Sequence, residues 1–78
     1  MSAKIDPLPP APAIEIVVNG ASRHVPDRSS VRSLVAELGL APERIAVELN
    51  RELLPRACLD RELAADDHLE IVTFVGGG

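Results

Sequence analysis

Apolar side chains recur along this chain with two different spacings, and the switches between them predict an order of elements. Ile14, Ile16 and Val18 sit two apart, with Glu15 and Val17 between them, the period of a strand whose successive side chains point to opposite faces. Asn19-Gly20 follows, a pair suited to the two positive φ angles of a tight hairpin turn, and residues 22–25 supply the return strand, closed by Pro26. The spacing then lengthens. Val31, Leu34, Val35 and Leu38 fall at i, i+3, i+4 and i+7, one apolar stripe of a helix. Ser29 or Ser30 stands where an N-cap is wanted. Gly39 suits a left-handed C-terminal cap, with Leu40 placed to fold back and Pro42 to block continuation.

The two-residue period returns at Ile45, Val47 and Leu49, which alternate with Ala46, Glu48 and Asn50. A turn at Asn50-Arg51 leads to a short strand at Leu53-Leu54, ended by Pro55. Residues 59–65 are expected to form one helical turn, Asp66-Asp67 a polar turn, and residues 68–75 the last strand. Hairpin, helix, strand, short strand, strand has one compact solution. The helix crosses one face of a mixed sheet of about five strands, and the final strand inserts beside the first. This is the ubiquitin-like β-grasp arrangement, an α+β fold. Residues 1–13 carry Pro7, Pro9, Pro10 and Pro12 and few apolar anchors, so they read as a disordered proline-rich arm. Residues 14–75 form the domain, and 76–78 a flexible tail.

Composition narrows the function more than the fold. Seventy-eight residues make one small domain that buries only about 60% of its unfolded surface. A net charge of −4 argues against nucleic acid, whose phosphates require clustered cations, and Phe74 as the only aromatic residue leaves no stacking platform for single strands. No apolar run approaches the roughly 18 residues that span a bilayer, so no membrane association is expected. Lys4 is not followed by the apolar stretch of a signal peptide. The single Cys58 cannot close an internal disulfide, which suits a reducing cytoplasm.

Side chains able to carry chemistry are sparse. Cys58, between Ala57 and Leu59, reads as a small buried hydrophobe. His24 and His68 fall in different elements with no carboxylate or serine at a useful spacing, and are expected on the surface. Asp60, Asp66 and Asp67 lack the ligand pattern of a calcium loop and read as turn residues, so no metal site is expected. No set of nucleophile, base and orienting group can be assembled, which argues against an independent enzyme. The last strand places Leu69, Ile71 and Val75 on one face and Val72 and Phe74 on the other. Only one face can lie under the helix. Val72 and Phe74, with Val17 on the first strand, are therefore candidates for a partner-docking patch.

What remains is Phe74-Val75-Gly76-Gly77-Gly78, three glycines directly after a strand with no polar spacer. Without Cβ atoms such a segment can thread a narrow channel, approach a nucleotide phosphate closely and take whatever dihedrals a partner imposes. A carboxylate on Gly78 could then react inside another enzyme.

From Ile14 onward the chain resembles the thiamine-biosynthesis sulfur carriers of the ThiS family. The resemblance is carried by Val18-Asn19-Gly20, by the helix stripe Val31, Leu34, Val35 and Leu38, by Ile45-Ala46-Val47-Glu48-Leu49-Asn50, by Pro55-Arg56, and by Leu69-Glu70-Ile71-Val72 with Phe74-Val75-Gly76-Gly77-Gly78. It covers about five-sixths of the chain in family order. It implies that a ThiF-like adenylating enzyme uses ATP and Mg²⁺ to activate the Gly78 carboxylate, with Gly76 and Gly77 as the tail. A cysteine desulfurase or other persulfide donor would then supply sulfur to form a thiocarboxylate, which passes to a ThiG-like thiazole synthase. The carrier itself would bind no cofactor. The alternatives are a molybdopterin-synthase-type small subunit, whose members usually approach the glycines through a proline that Phe74-Val75-Gly76 lacks, and a ubiquitin-like interaction module whose tail never reacts.

Overall fold

The computed structural model describes residues 12–74. Strand β1 (Ala13–Val18) turns at Asn19 and Gly20, both at positive φ (50° and 83°), into β2 (Ala21–Pro26). Helix α1 (Val31–Glu37) follows, then a 3₁₀ turn at Pro42–Arg44, β3 (Ile45–Leu49), β4 (Glu52–Leu54), a second 3₁₀ turn at Arg56–Cys58, and β5 (His68–Thr73). The five strands form one sheet in the order β2-β1-β5-β3-β4. β1 and β5 run parallel and the other neighbours antiparallel, so the sheet is mixed, with the last strand inserted beside the first. This is the expected β-grasp arrangement. β1 starts at Ala13, one residue before the expected boundary: Ala13 pairs with Pro26, and the Pro12 carbonyl accepts the Asp27 N–H at 2.7 Å. The rest of the expected arm, residues 1–11, lies outside the described residues, as does the expected tail at 76–78.

Helix α1 has both ends closed by short-range chemistry. Ser30 is the N-cap: its Oγ accepts from the Ser33 N–H at 3.0 Å, and Ser33 Oγ accepts from the Ser30 N–H at 3.0 Å. This reciprocal box satisfies two donors that the first turn leaves unpaired. At the other end Gly39 has φ 75°. The Leu40 N–H donates to Val35 O at 3.1 Å and the Gly39 N–H to Ala36 O at 3.0 Å, the paired bonds of a Schellman cap. Both features follow the sequence expectation.

Residues 59–65 do not form the expected helical turn. The turn comes earlier, at Arg56–Cys58, and the following stretch runs across the N-terminus of α1. There the Leu59 and Arg61 carbonyls accept the Arg32 and Val31 N–H groups, at 2.7 and 3.0 Å, while the Leu63 N–H donates to Ser29 O at 2.7 Å. Carbonyls used to satisfy another helix's first turn are not free to close a turn of their own. Leu59 and Leu63 meanwhile enter the core, 2% and 4% exposed.

That core lies on one side of the sheet. Ile16, Val25, Ile45, Val47, Leu49, Leu69 and Ile71 from the strands pack with Val31, Leu34 and Val35 of the helix stripe, and Leu38 and Leu40 sit at its margin. Among the described residues no helix lies over the other face of the sheet.

Candidate functional site

Register decides which residues share the open face. In β5, Leu69 and Ile71 point into the core, so His68, Glu70 and Val72 point away from it. Across β3 their partners are Glu48, opposite Glu70, and Ala46, opposite Val72. Leu53 of β4 stands opposite Glu48. Beyond the last ladder pair, the Phe74 N–H donates to Arg44 O at 2.7 Å, which carries the β3–β5 pairing one step further and fixes Phe74 on the same face as Val72. The large exposed hydrophobics among the described residues are Leu53 (69%), Val72 (56%) and Phe74 (52%). Two of the three anticipated docking residues, Val72 and Phe74, thus sit together at one end of the face.

The third does not join them. Val17 lies on the open face but pairs with His68, which puts it four β5 positions, roughly 13 Å, from Val72. It is also half-buried. The parallel β1–β5 pairing aligns β1 with the start of β5, and the sequence pattern holds no information on that offset. Leu53 takes the place in the patch that Val17 was expected to fill. The available signal was that two consecutive leucines in a strand must face opposite ways, so one of Leu53 and Leu54 had to be outside.

Phe74 also borders a shallow cavity of about 190 Å³, lined by Pro42, Ala46, Leu53, Pro55 and Arg56 above the core residue Leu59. The cavity opens where β4 stops at Leu54 and leaves the start of β3 uncovered on that side. Its walls are apolar apart from Arg56, whose Nη2 donates to Glu43 O at 3.2 Å and holds the two 3₁₀ turns together. An apolar patch of this kind beside the end of β5 can orient whatever follows that strand. Val75, Gly76, Gly77 and Gly78, which do follow it, lie outside the described residues.

The remaining candidates fall into simpler roles. Cys58 is exposed, which corrects its reading as a buried hydrophobe: Leu59, next to it, takes the core position and the tight 3₁₀ turn carries Cys58 outward. His24 is exposed and lies 3.7 Å from Glu15, while His68 is exposed near the Asn50-Arg51 turn. Asp67 is a turn residue, as expected. Its carboxylate accepts from the Ala64 N–H at 2.8 Å and from Asn50 Nδ2 at 3.0 Å. Asp66 has φ 69° beside it, and Asp60 pairs with Arg32 at 2.7 Å. Among the described residues no three His, Cys, Asp or Glu side chains gather to hold a metal ion, and no helix is long and apolar enough to cross a membrane.

Known proteins are similar to this chain in architecture or in sequence. The crystal structure of the thiamine biosynthesis protein (ThiS) from Geobacter metallireducens superposes with a TM-score of 0.70 at 33% identity, covering 83% of this chain and 100% of that one. The chain is 38% identical over 66 residues to the thiazole synthase of Paramagnetospirillum magneticum, and there it spans only 20% of the relative's length. It is also 38% identical over 66 residues to the uncharacterized protein ycf40 of Porphyra purpurea, covering 93% of that protein. The sequence model of the ThiS family matches residues 10–78, from the approach to β1 through the glycines. The chain belongs to the ThiS family.

Proposed function

We propose that this protein is a cytoplasmic sulfur carrier for thiamine thiazole synthesis, with the Gly78 carboxylate as its working group. The observation that carries this reading is the family match, which extends through Gly76, Gly77 and Gly78 and is not confined to the folded sheet. The likeness to a thiamine biosynthesis protein over 83% of the chain supports it. So does the presence of a matching stretch within proteins named thiazole synthase.

The order of steps follows from carboxylate chemistry. A carboxylate at neutral pH is a poor electrophile and needs a leaving group. A ThiF-like adenylating enzyme supplies one by joining the Gly78 carboxylate to AMP from ATP, with Mg²⁺ on the phosphates and pyrophosphate released. The terminal sulfur of a persulfide, from a cysteine desulfurase or similar donor, then displaces AMP. Cleavage of the resulting S–S bond by a thiol leaves a thiocarboxylate, which a ThiG-like thiazole synthase consumes as its sulfur source. The carrier is regenerated as the carboxylate, so it acts as a recycled substrate of its partners and not as a catalyst. Leu53, Val72 and Phe74 contribute by docking the adenylating enzyme, and the glycines by entering its channel without side-chain clash.

The test is ATP–pyrophosphate exchange catalysed by the adenylating enzyme of the same organism. Exchange that depends on the carrier supports the reading. Its absence, with an enzyme active on another carrier, leaves an interaction module whose tail does not react.

A further inference from the structure

Leu53, Glu48 and Glu70 form one straight row across β4, β3 and β5, because Glu48 is the register partner of both Leu53 and Glu70. The next row on the same face is Ala46 opposite Val72, and Phe74 follows. Glu48 therefore adjoins Leu53, and Glu70 adjoins Val72 along β5, so both carboxylates border the apolar patch. Both glutamates are exposed, and among the described residues neither takes part in an ion pair. The ion pairs found among the described residues are Arg23 with Glu37 and Arg32 with Asp60, and His24 lies 3.7 Å from Glu15. Like charges directly opposite each other on a sheet repel, so the free protein holds an arrangement that weakens it.

We propose that the adenylating enzyme meets this face with an arginine seated on the Glu48–Glu70 pair; the proposal rests on the carrier reading above. A surface that covers Leu53 and Val72 together reaches both Glu48, the cross-strand neighbour of Leu53, and Glu70, the same-face neighbour of Val72 on β5. Burying two carboxylates with no cation would cost more than the apolar contacts return. One guanidinium offers a planar fork of donors wide enough for two carboxylates, and it gives up water more readily than an ammonium group. A nucleic acid or an anionic lipid surface would add negative charge to the row. A second copy laid row on row would add two more carboxylates.

The experiment is calorimetric titration of the full chain into the adenylating enzyme of the same organism, at about 50 and 300 mM salt. Glu48→Gln and Glu70→Gln are each expected to weaken binding about tenfold at low salt, and the double variant to lose most of the salt dependence. The melting temperature of each free variant stays level or rises as the repulsion is relieved, which separates lost contact from misfolding. Glu62→Gln, on the helix side, removes the same net charge and is expected to change affinity less than about twofold. If the parent binds and is adenylated while the glutamine variants bind as tightly, this inference fails and the carrier reading stands. If the parent is neither bound nor adenylated, the carrier reading fails and takes the inference with it. Self-association of the chain through this face, abolished by Val72→Arg, would also overturn it.

Discussion

The Asn19 side chain stands in for a strand residue opposite Ile71. Its Oδ1 accepts the Ile71 N–H at 2.7 Å and its Nδ2 donates to the Ile71 carbonyl at 3.1 Å, although β1 has already ended at Val18. The ladder between β1 and β5 pairs only Val17 with His68 and Val18 with Leu69, so this amide extends a short seam in the direction of Phe74. Asn19 also holds φ 50°, a conformation asparagine tolerates better than most residues. Replacing it with Ala should leave two backbone groups short of partners and add left-handed strain, a loss of about 2–3 kcal/mol. Asn19→Gly removes the strain alone and should recover only part of it. Equal stability of the parent and Asn19→Ala, by denaturant midpoint at constant m, would show that the bridge contributes nothing.

Phe74 separates docking from packing. At 52% exposure it cannot contribute the 3–5 kcal/mol of a core phenylalanine, and Phe74→Ala should cost no more than about 1.5 kcal/mol. Affinity for the adenylating enzyme should fall at least about tenfold, since exposed aromatic side chains carry a large share of interface energy. A large drop in stability with unchanged affinity would assign Phe74 to the fold.

Two truncations locate the edge of the domain. Removing residues 1–11 should leave the unfolding midpoint unchanged, because that stretch is rich in proline and poor in apolar side chains. Removing 1–13 also deletes the Pro12 carbonyl that accepts from Asp27 and the Ala13 pairing with Pro26, and should lower stability by about 1 kcal/mol. Equal midpoints for the two would place the boundary after Ala13.

Cys58 is exposed, so Cys58→Ser should change stability by less than about 0.5 kcal/mol and leave sulfur loading intact. Loss of loading in a variant that folds normally would move the sulfur chemistry from the carboxylate to this thiol.

Much of the fold was legible because local chemistry specified it. Asn19-Gly20, Ser30, Gly39 and the 3.6-residue stripe each fix backbone geometry within a few positions, and the structure follows them. Two of the departures are long-range and one is local. Nothing near residues 59–65 announces that the Leu59 and Arg61 carbonyls are taken by the Arg32 and Val31 N–H groups in the first turn of α1. Nothing in β1 shows its offset against β5, so the alternation groups Val17 with Val72 and Phe74 and gives Leu53 no place beside them. The apolar neighbours of Cys58 suggest burial, but one residue of phase in a 3₁₀ turn separates Leu59 in the core from Cys58 in solvent. The chemistry is legible in the glycines and the family resemblance alone, since no side-chain cluster among the described residues announces it.

Mass spectrometry of the intact protein tests the central claim most directly. Incubated with the adenylating enzyme, ATP, Mg²⁺, a persulfide donor and a thiol, the carrier should gain the mass of one sulfur exchanged for one oxygen. An alkylating reagent should then trap that sulfur on the terminal peptide at Gly78, and a Gly78 amide should show no gain. A gain that persists in the amidated protein, or that maps to Cys58, would contradict the account.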